Sequence, residues 1–204
     1  MAVQPQVFTA GQRVTAGLLT LDLMGEYRDE LNCPGIAETC PRWACQNTAS
    51  IVSGKLNLMP VYLVAGQVVG TFSWGNGGTA AVTPTHQWAA LYNSAYAQVA
   101  ISADKTSTAV PANSAFNWGV ATIASGAATS YTATYSGLYY AGLMISATTM
   151  PTPVAAGGAI SSPVNGFPPQ FGGSDTAQAA PPAFPHTAAT PSAGASPYLY
   201  MFLS

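Results

Sequence analysis

Charge is what this sequence has least of. Of 204 residues, 5 are Lys or Arg and 7 are Asp or Glu, so charged side chains make up 6% of the chain, against roughly 25% in an ordinary soluble domain. So few cations, with a formal net charge of −2, cannot replace counterions along a phosphate backbone, which excludes nucleic acid as a partner. Histidine is scarce too: His86 and His186 are the only two, and theirs are the only side chains whose ordinary pKa suits proton transfer near neutrality. Long apolar runs are also missing. The longest uncharged stretch, residues 106–174, is broken throughout by Gly, Pro, Asn and Ser. Its most apolar part, Leu138 to Ala147, is about half the roughly 20 residues that span a bilayer, so no membrane insertion is expected. The opening Met1-Ala2-Val3-Gln4-Pro5-Gln6 lacks the basic start and apolar core of a secretory signal, and the chain reads as made in the cytoplasm.

What is present is apolar and small. Hydrophobic residues make up 49% and aromatics 10%, enough buried surface to offset chain entropy, so disorder of the whole chain is excluded. The charges themselves are uneven. Arg13, Asp22, Glu26, Arg28, Asp29, Glu30, Glu38, Arg42 and Lys55 precede residue 56, and only Asp104, Lys105 and Asp175 follow it. This shift divides the chain near residue 50. Residues 1–50 carry apolar positions at Val14, Leu18, Leu21, Met24, Tyr27 and Leu31, a helical stripe that predicts one short helix, broken at Gly25.

From residue 51 to 147 the period becomes two. Val68, Gly70, Phe72 and Trp74 form one alternating strand, Trp88, Ala90 and Tyr92 another, and Val99 with Ile101 and Phe116 with Trp118 and Val120 repeat the pattern, while turn clusters such as Gly75-Asn76-Gly77-Gly78 separate them. The pattern predicts a mainly β protein, an antiparallel β-sandwich of jelly-roll type. Leu138 to Ile145 is apolar on both faces and should be a central strand covered on both sides. Trp74, Trp88 and Trp118 are expected in the core. Residues 148–197 hold ten of the 16 prolines and read as a long Pro/Gly-rich extended arm. Phe167, Phe171 and Phe184 are candidate anchors along it. The chain then closes on Tyr198-Leu199-Tyr200-Met201-Phe202-Leu203, too apolar to be left in water. Residues 198–204 are therefore expected as a strand that returns to the same sandwich or to a neighbouring subunit, with Tyr198, Tyr200 and Phe202 as further anchors.

The inventory of chemistry is thin. His86 in Pro84-Thr85-His86-Gln87-Trp88 and His186 in the arm read as turn or surface histidines. A carboxylate pair for glycoside hydrolysis is hard to assemble, because Glu26, Asp29, Glu30 and Glu38 belong to the N-terminal segment and the β region offers only Asp104 before the arm. No Gly-x-Ser-x-Gly elbow occurs. Ser53-Gly54-Lys55 fails as a phosphate loop, since Ala49 stands where the first glycine is required and Leu56 where Ser or Thr should bind magnesium. Cys33, Cys40 and Cys45 lie close together, but their spacing misses the usual paired-cysteine pattern of zinc sites and no histidine lies nearby as a fourth ligand. Reduced half-buried thiols are the first reading, and a disulfide between two of them in oxidising surroundings is the alternative. No catalytic residue, cofactor or metal is assigned.

Phe8-Thr9-Ala10-Gly11-Gln12-Arg13-Val14-Thr15-Ala16-Gly17-Leu18-Leu19 resembles the opening of many tailed-phage virion proteins. Three further blocks, Gln87 to Ser94, Val99 to Asp104 and Tyr131 to Met144, are similar to a β-rich module in minor tail and head-decoration proteins of phages infecting actinobacteria. The resemblance implies a non-enzymatic structural component on the virion surface. Under it, residues 1–50 dock the β region to other virion proteins, with Phe8, Gln12, Arg13, Leu18 and Leu19 as docking contacts, and the chain self-associates as a homotrimer. A symmetric assembly also accounts for the missing charge, because neighbours cover surface that a monomer would have to solvate. The competing expectations are a receptor-binding module for host-surface carbohydrate and, from the enzyme class, a glycan hydrolase.

Overall fold

The structure, a computed structural model, describes residues 36–47, 51–156, 172–175, 180–184, 186–191 and 197–204. The expected N-terminal helix and the docking residues Phe8, Gln12, Arg13, Leu18 and Leu19 lie outside the described residues, as do Cys33, Phe167 and Phe171. The rest is mainly β, with antiparallel strands in a curled, half-barrel sheet. In chain order the strands are β1 (Ala37–Glu38), β2 (Cys45–Gln46), β3 (Asn57–Leu63), β4 (Val68–Val69), β5 (Thr71–Asn76), β6 (His86–Asn93) and β7 (Gln98–Ser102). Then follow β8 (Ser114–Ile123), β9 (Gly126–Ala127), β10 (Tyr131–Thr132), β11 (Gly137–Ser146), β12 (Ala155–Ala156), β13 (Gly172–Gly173) and β14 (Met201–Leu203). A 3-10 turn at Arg42–Ala44 is the single helical element among the described residues.

Ten strands make one sheet in the order β1-β14-β5-β8-β7-β6-β11-β3-β13, with β9 beside β8. The antiparallel alternation read in residues 51–147 is thus present, and β5 to β8 form a Greek key, because β6, β7 and β8 follow one another as hairpins while β5 lies beside β8. The expected strand through residues 68–74 is split at Gly70, where the Gly70 and Thr71 N–H groups both donate to the Ser204 carbonyl, at 2.7 and 2.8 Å. Val68 and Val69 pair instead with Thr132 and Tyr131.

The middle of the sheet, at β6 and β11, is buried on both faces. Tyr139, Ala141, Leu143 and Ile145 of β11 join Met59, Val61, Leu63, Phe72, Trp74 and Trp118 in the inner core. Tyr140 and Met144 face the other way, with Leu56, Leu58, Trp88, Ala90, Tyr92 and Ile101. The strand that is apolar on both faces therefore lies between β3 and β6 and is covered on both, each large side chain contributing about 2 kcal/mol by leaving water. Part of the Pro/Gly-rich stretch supplies the outer cover. Gly172 and Gly173 pair with Leu58 and Asn57, the Leu56 N–H donates to the Asp175 carbonyl at 3.1 Å, and Ala188 and Phe184 pack on the outer cluster.

The curl brings β1 beside β3, where a ladder is not made. Pro60 in the middle of β3 has no N–H to offer an edge partner. The Tyr198 hydroxyl takes its place at the seam, directed at the carbonyl oxygens of Thr39 (2.8 Å) and Pro60 (3.2 Å). The last residues lie within the sheet: β14 is flanked by β1 and β5 and sends Met201 and Leu203 into the inner core, with Leu199 just before it.

Candidate functional site

Among the described residues, the histidines, aspartates and cysteines fall into two histidine–carboxylate pairs and one thiol pair. His86 opens β6 and Asp104 follows β7, so the β6–β7 hairpin carries them to the same end of the sheet. His86 Nδ1 lies 2.5 Å from Asp104 Oδ2, and Asp104 Oδ1 accepts the Gln87 N–H at 3.0 Å. This fixes the ring, Nδ1 toward the carboxylate. Ser146 stands opposite His86 in the β6–β11 register, and its hydroxyl oxygen accepts from Thr85 Oγ1 at 3.1 Å. The side chains of His86 and Asp104 remain 29% and 19% exposed, so the pair is a modest stabilising contact at a strand end.

The second pair belongs to the arm. His186 Nε2 is 3.1 Å from Asp175 Oδ2, a close approach without in-line hydrogen-bond geometry. Asp175 Oδ1 accepts the Ala189 N–H at 2.9 Å, and the Ser174 hydroxyl donates to the Ala189 carbonyl. His186 Nδ1 meets the Tyr92 hydroxyl at 3.3 Å, while its carbonyl accepts the Gln98 N–H at 2.8 Å. These bonds clasp residues 174–175 and 186–189 onto the outer face of β6 and β7. Burial, and then the nearby Asp175 charge, push the Tyr92 hydroxyl above the usual phenol range. Asp104 and Asp175 are thus each placed against a histidine.

Cys40 and Cys45 bracket the 3-10 turn, and their sulfurs lie 3.8 Å apart. Burial and the neighbouring Cys45 push the Cys40 thiol up to about 12, and burial also raises Cys45. Among the described residues, no three His, Cys, Asp or Glu side chains come together as a metal site.

Of the proposed anchors, Phe184 is half-buried against the outer cluster. Tyr198 sits at the β1–β3 seam, the buried Tyr200 reaches Glu38 Oε2 with its hydroxyl at 3.4 Å, and Phe202 lies beside Tyr200 with ring centroids 6.3 Å apart. Trp74, Trp88 and Trp118 are all buried, with Phe116 stacked on Trp74 at 4.4 Å. Sequence reasoning did not single out the apolar side chains that stand in the open: Tyr62 at 55%, Val64 at 46% and Val68 at 50% exposure, with Val52 and Val82 elsewhere. Tyr62, Val64 and Val68 flank one tight turn, closed by the Gln67 N–H on the Val64 carbonyl at 3.0 Å. The alternation of β3 carried the signal, since Met59, Val61 and Leu63 point inward and Tyr62 between them must point out.

No protein-family model, curated protein or solved structure matches the chain.

Proposed function

We propose that the chain is a non-enzymatic, self-associating structural subunit of a tailed-phage virion, attached to the particle surface as a minor tail or head-decoration protein. One observation carries the reading: the β region has very few charges, while apolar side chains stand in the open. From residue 51 onward the charged residues are Lys55, Asp104, Lys105 and Asp175. Lys55 lies against Gly173, and the two aspartates are held by His86 and His186. A surface this close to neutral favours association, and Tyr62, Val64 and Val68 form a ready apolar contact for a neighbour. The similarity of residues 8–19 and of the three β blocks to virion proteins supplies the class of assembly. The Greek key of β5 to β8 supports a jelly-roll as the finer architecture, in keeping with the β modules that pack side by side on particle surfaces. The carbohydrate-binding alternative is weakened by the burial of Trp74, Trp88 and Trp118, which leaves none of the three to stack on a sugar.

Gradient-purified virions of a phage carrying this sequence test the proposal, with the chain quantified against isotope-labelled peptides. Hundreds of copies per particle support head decoration and up to a few tens support the tail. Absence from particles that are otherwise complete overturns the assignment.

A further inference from the structure

We propose that Cys40 and Cys45 are a disulfide-forming pair that closes when the protein meets an oxidising thiol–disulfide couple, leaving Cys33 as a thiol. The chain between them is already folded back for it. Pro41 enters the turn extended, at φ −61° and ψ 131°. The Ala44 N–H then donates to the Pro41 carbonyl at 2.9 Å, and the Cys45 N–H donates to the Arg42 carbonyl. Both sulfurs emerge on the same side of this turn, 3.8 Å apart. A disulfide needs about 2 Å between them, a gap that rotation about the two Cα–Cβ bonds can close without moving the backbone far.

The two ends of the turn are tied to different partners, one to the main sheet and the other to the separate β2–β12 ladder. On one side the Thr39 hydroxyl donates to the Leu199 carbonyl at 2.7 Å and accepts from the Met201 N–H at 2.9 Å. On the other, Cys45 and Gln46 pair with Ala156 and Ala155. The thiols are thus held in place from both flanks, and a bond between them would join the chain leaving β1 to β2 covalently.

The chemistry balances with glutathione disulfide as the oxidant. Cys45 is the more open of the two thiols, with Arg42 favouring its thiolate. Its sulfur attacks one sulfur of glutathione disulfide, forming a Cys45–glutathione mixed disulfide and releasing one glutathione thiolate. The Cys40 sulfur, having lost its proton, then attacks the Cys45 sulfur and expels the second glutathione. Two thiol hydrogens leave the protein, one sulfur–sulfur bond forms, and glutathione disulfide is reduced to two glutathiones. Because burial holds both thiols above their usual range, the reaction should quicken as pH rises from neutral.

Peptide mapping of the full-length protein decides the pairing. The reduced chain is incubated with a glutathione redox buffer, quenched with acid, alkylated and cut with trypsin. Cleavage after Arg42 places Cys33 and Cys40 on peptide 29–42 and Cys45 on peptide 43–55. The expected product is these two peptides joined, lighter by two hydrogens than their reduced sum, with the alkyl group on Cys33. The same joined pair should form in Cys33→Ser and be lost in Cys40→Ser. Oxidised wild type and oxidised Cys33→Ser should both melt about 5 °C above their reduced forms. Peptide 29–42 closed on itself, a joined product that disappears in Cys33→Ser, three fully alkylated thiols after oxidation, or stoichiometric zinc on the purified protein would each overturn the proposal.

Discussion

Gly77 passes so close to the Asn47 carbonyl that a Cβ would overlap backbone atoms rather than a movable side chain. Gly77→Ala must therefore displace the chain at Asn47 or the turn after β5, and it is expected to lower unfolding stability by about 1–3 kcal/mol. Urea unfolding measures this directly, and a midpoint equal to wild type would contradict the close approach. Gly142 contrasts with it, because the atoms facing it are side-chain carbons of Leu56 and Leu58 at 3.1 Å and of Tyr92 at 3.3 Å. Titration behaviour also belongs to single residues. Burial raises the Cys40 thiol to about 12 and lifts the hydroxyls of Tyr92, Tyr140 and Tyr198 above the phenol range. The unfolded chain gives up these protons at ordinary values while the folded chain still holds them. Their contribution to stability is thus complete below the unfolded thiol and phenol pKa values and is lost as pH rises through and beyond them. Melting temperature should fall steadily from about pH 8 to about pH 11, and a flat profile over that range would show that these groups are more open than the structure has them.

Individual strands differ in how plainly the amino-acid sequence announces them. β11 was legible because Leu138 to Ile145 has no polar face, and a strand without a polar face must be covered twice. β6 and β8 were legible from the alternation of Trp88, Ala90 and Tyr92 and of Phe116, Trp118 and Val120. The break at Gly70 was not, because it depends on the Ser204 carbonyl, a partner at the far end of the chain. The outer cover by residues 172–175 and 186–189 was hidden for a similar reason: its contacts are backbone pairings of Gly172 and Gly173 and the Asp175–His186–Tyr92 clasp, and none has a local pattern. His86 and Asp104 were each weighed alone, whereas their positions at matching ends of the β6–β7 hairpin held the clue to their pairing. The C-terminal strand gives the sharpest test at this scale. β14 separates β5 from β1, and with the residues just before it supplies three inner-core side chains, Leu199, Met201 and Leu203. A chain ending at Pro197 is expected to lose cooperative unfolding or to aggregate, as read by circular dichroism and thermal melting. A truncated protein that melts like the full chain would show that the sheet does not depend on β14.

Across the whole molecule, scarcity of charge is the property that needs an explanation. A lone domain with a near-neutral surface is at risk of precipitation, and the exposed Tyr62, Val64 and Val68 add an apolar contact at one turn. Coverage by neighbouring copies resolves both features at once, and it predicts that residues 56–204 alone are poorly soluble. Contacts with so few charges should also be nearly insensitive to salt, since there is little for added ions to screen. Placing charge on the patch, as in Val64→Glu with Val68→Glu, should weaken association by about tenfold or more while leaving the inner core intact, because both side chains point away from it. The central claim, that this β surface exists to be covered by copies of itself, is tested most directly by multi-angle light scattering of the full-length protein at low and high salt. The account predicts a species of three times 20.8 kDa, unchanged by salt and shifted toward the single-chain mass by the paired glutamates. A stable monomer at high protein concentration, folded and soluble without a partner, would contradict it.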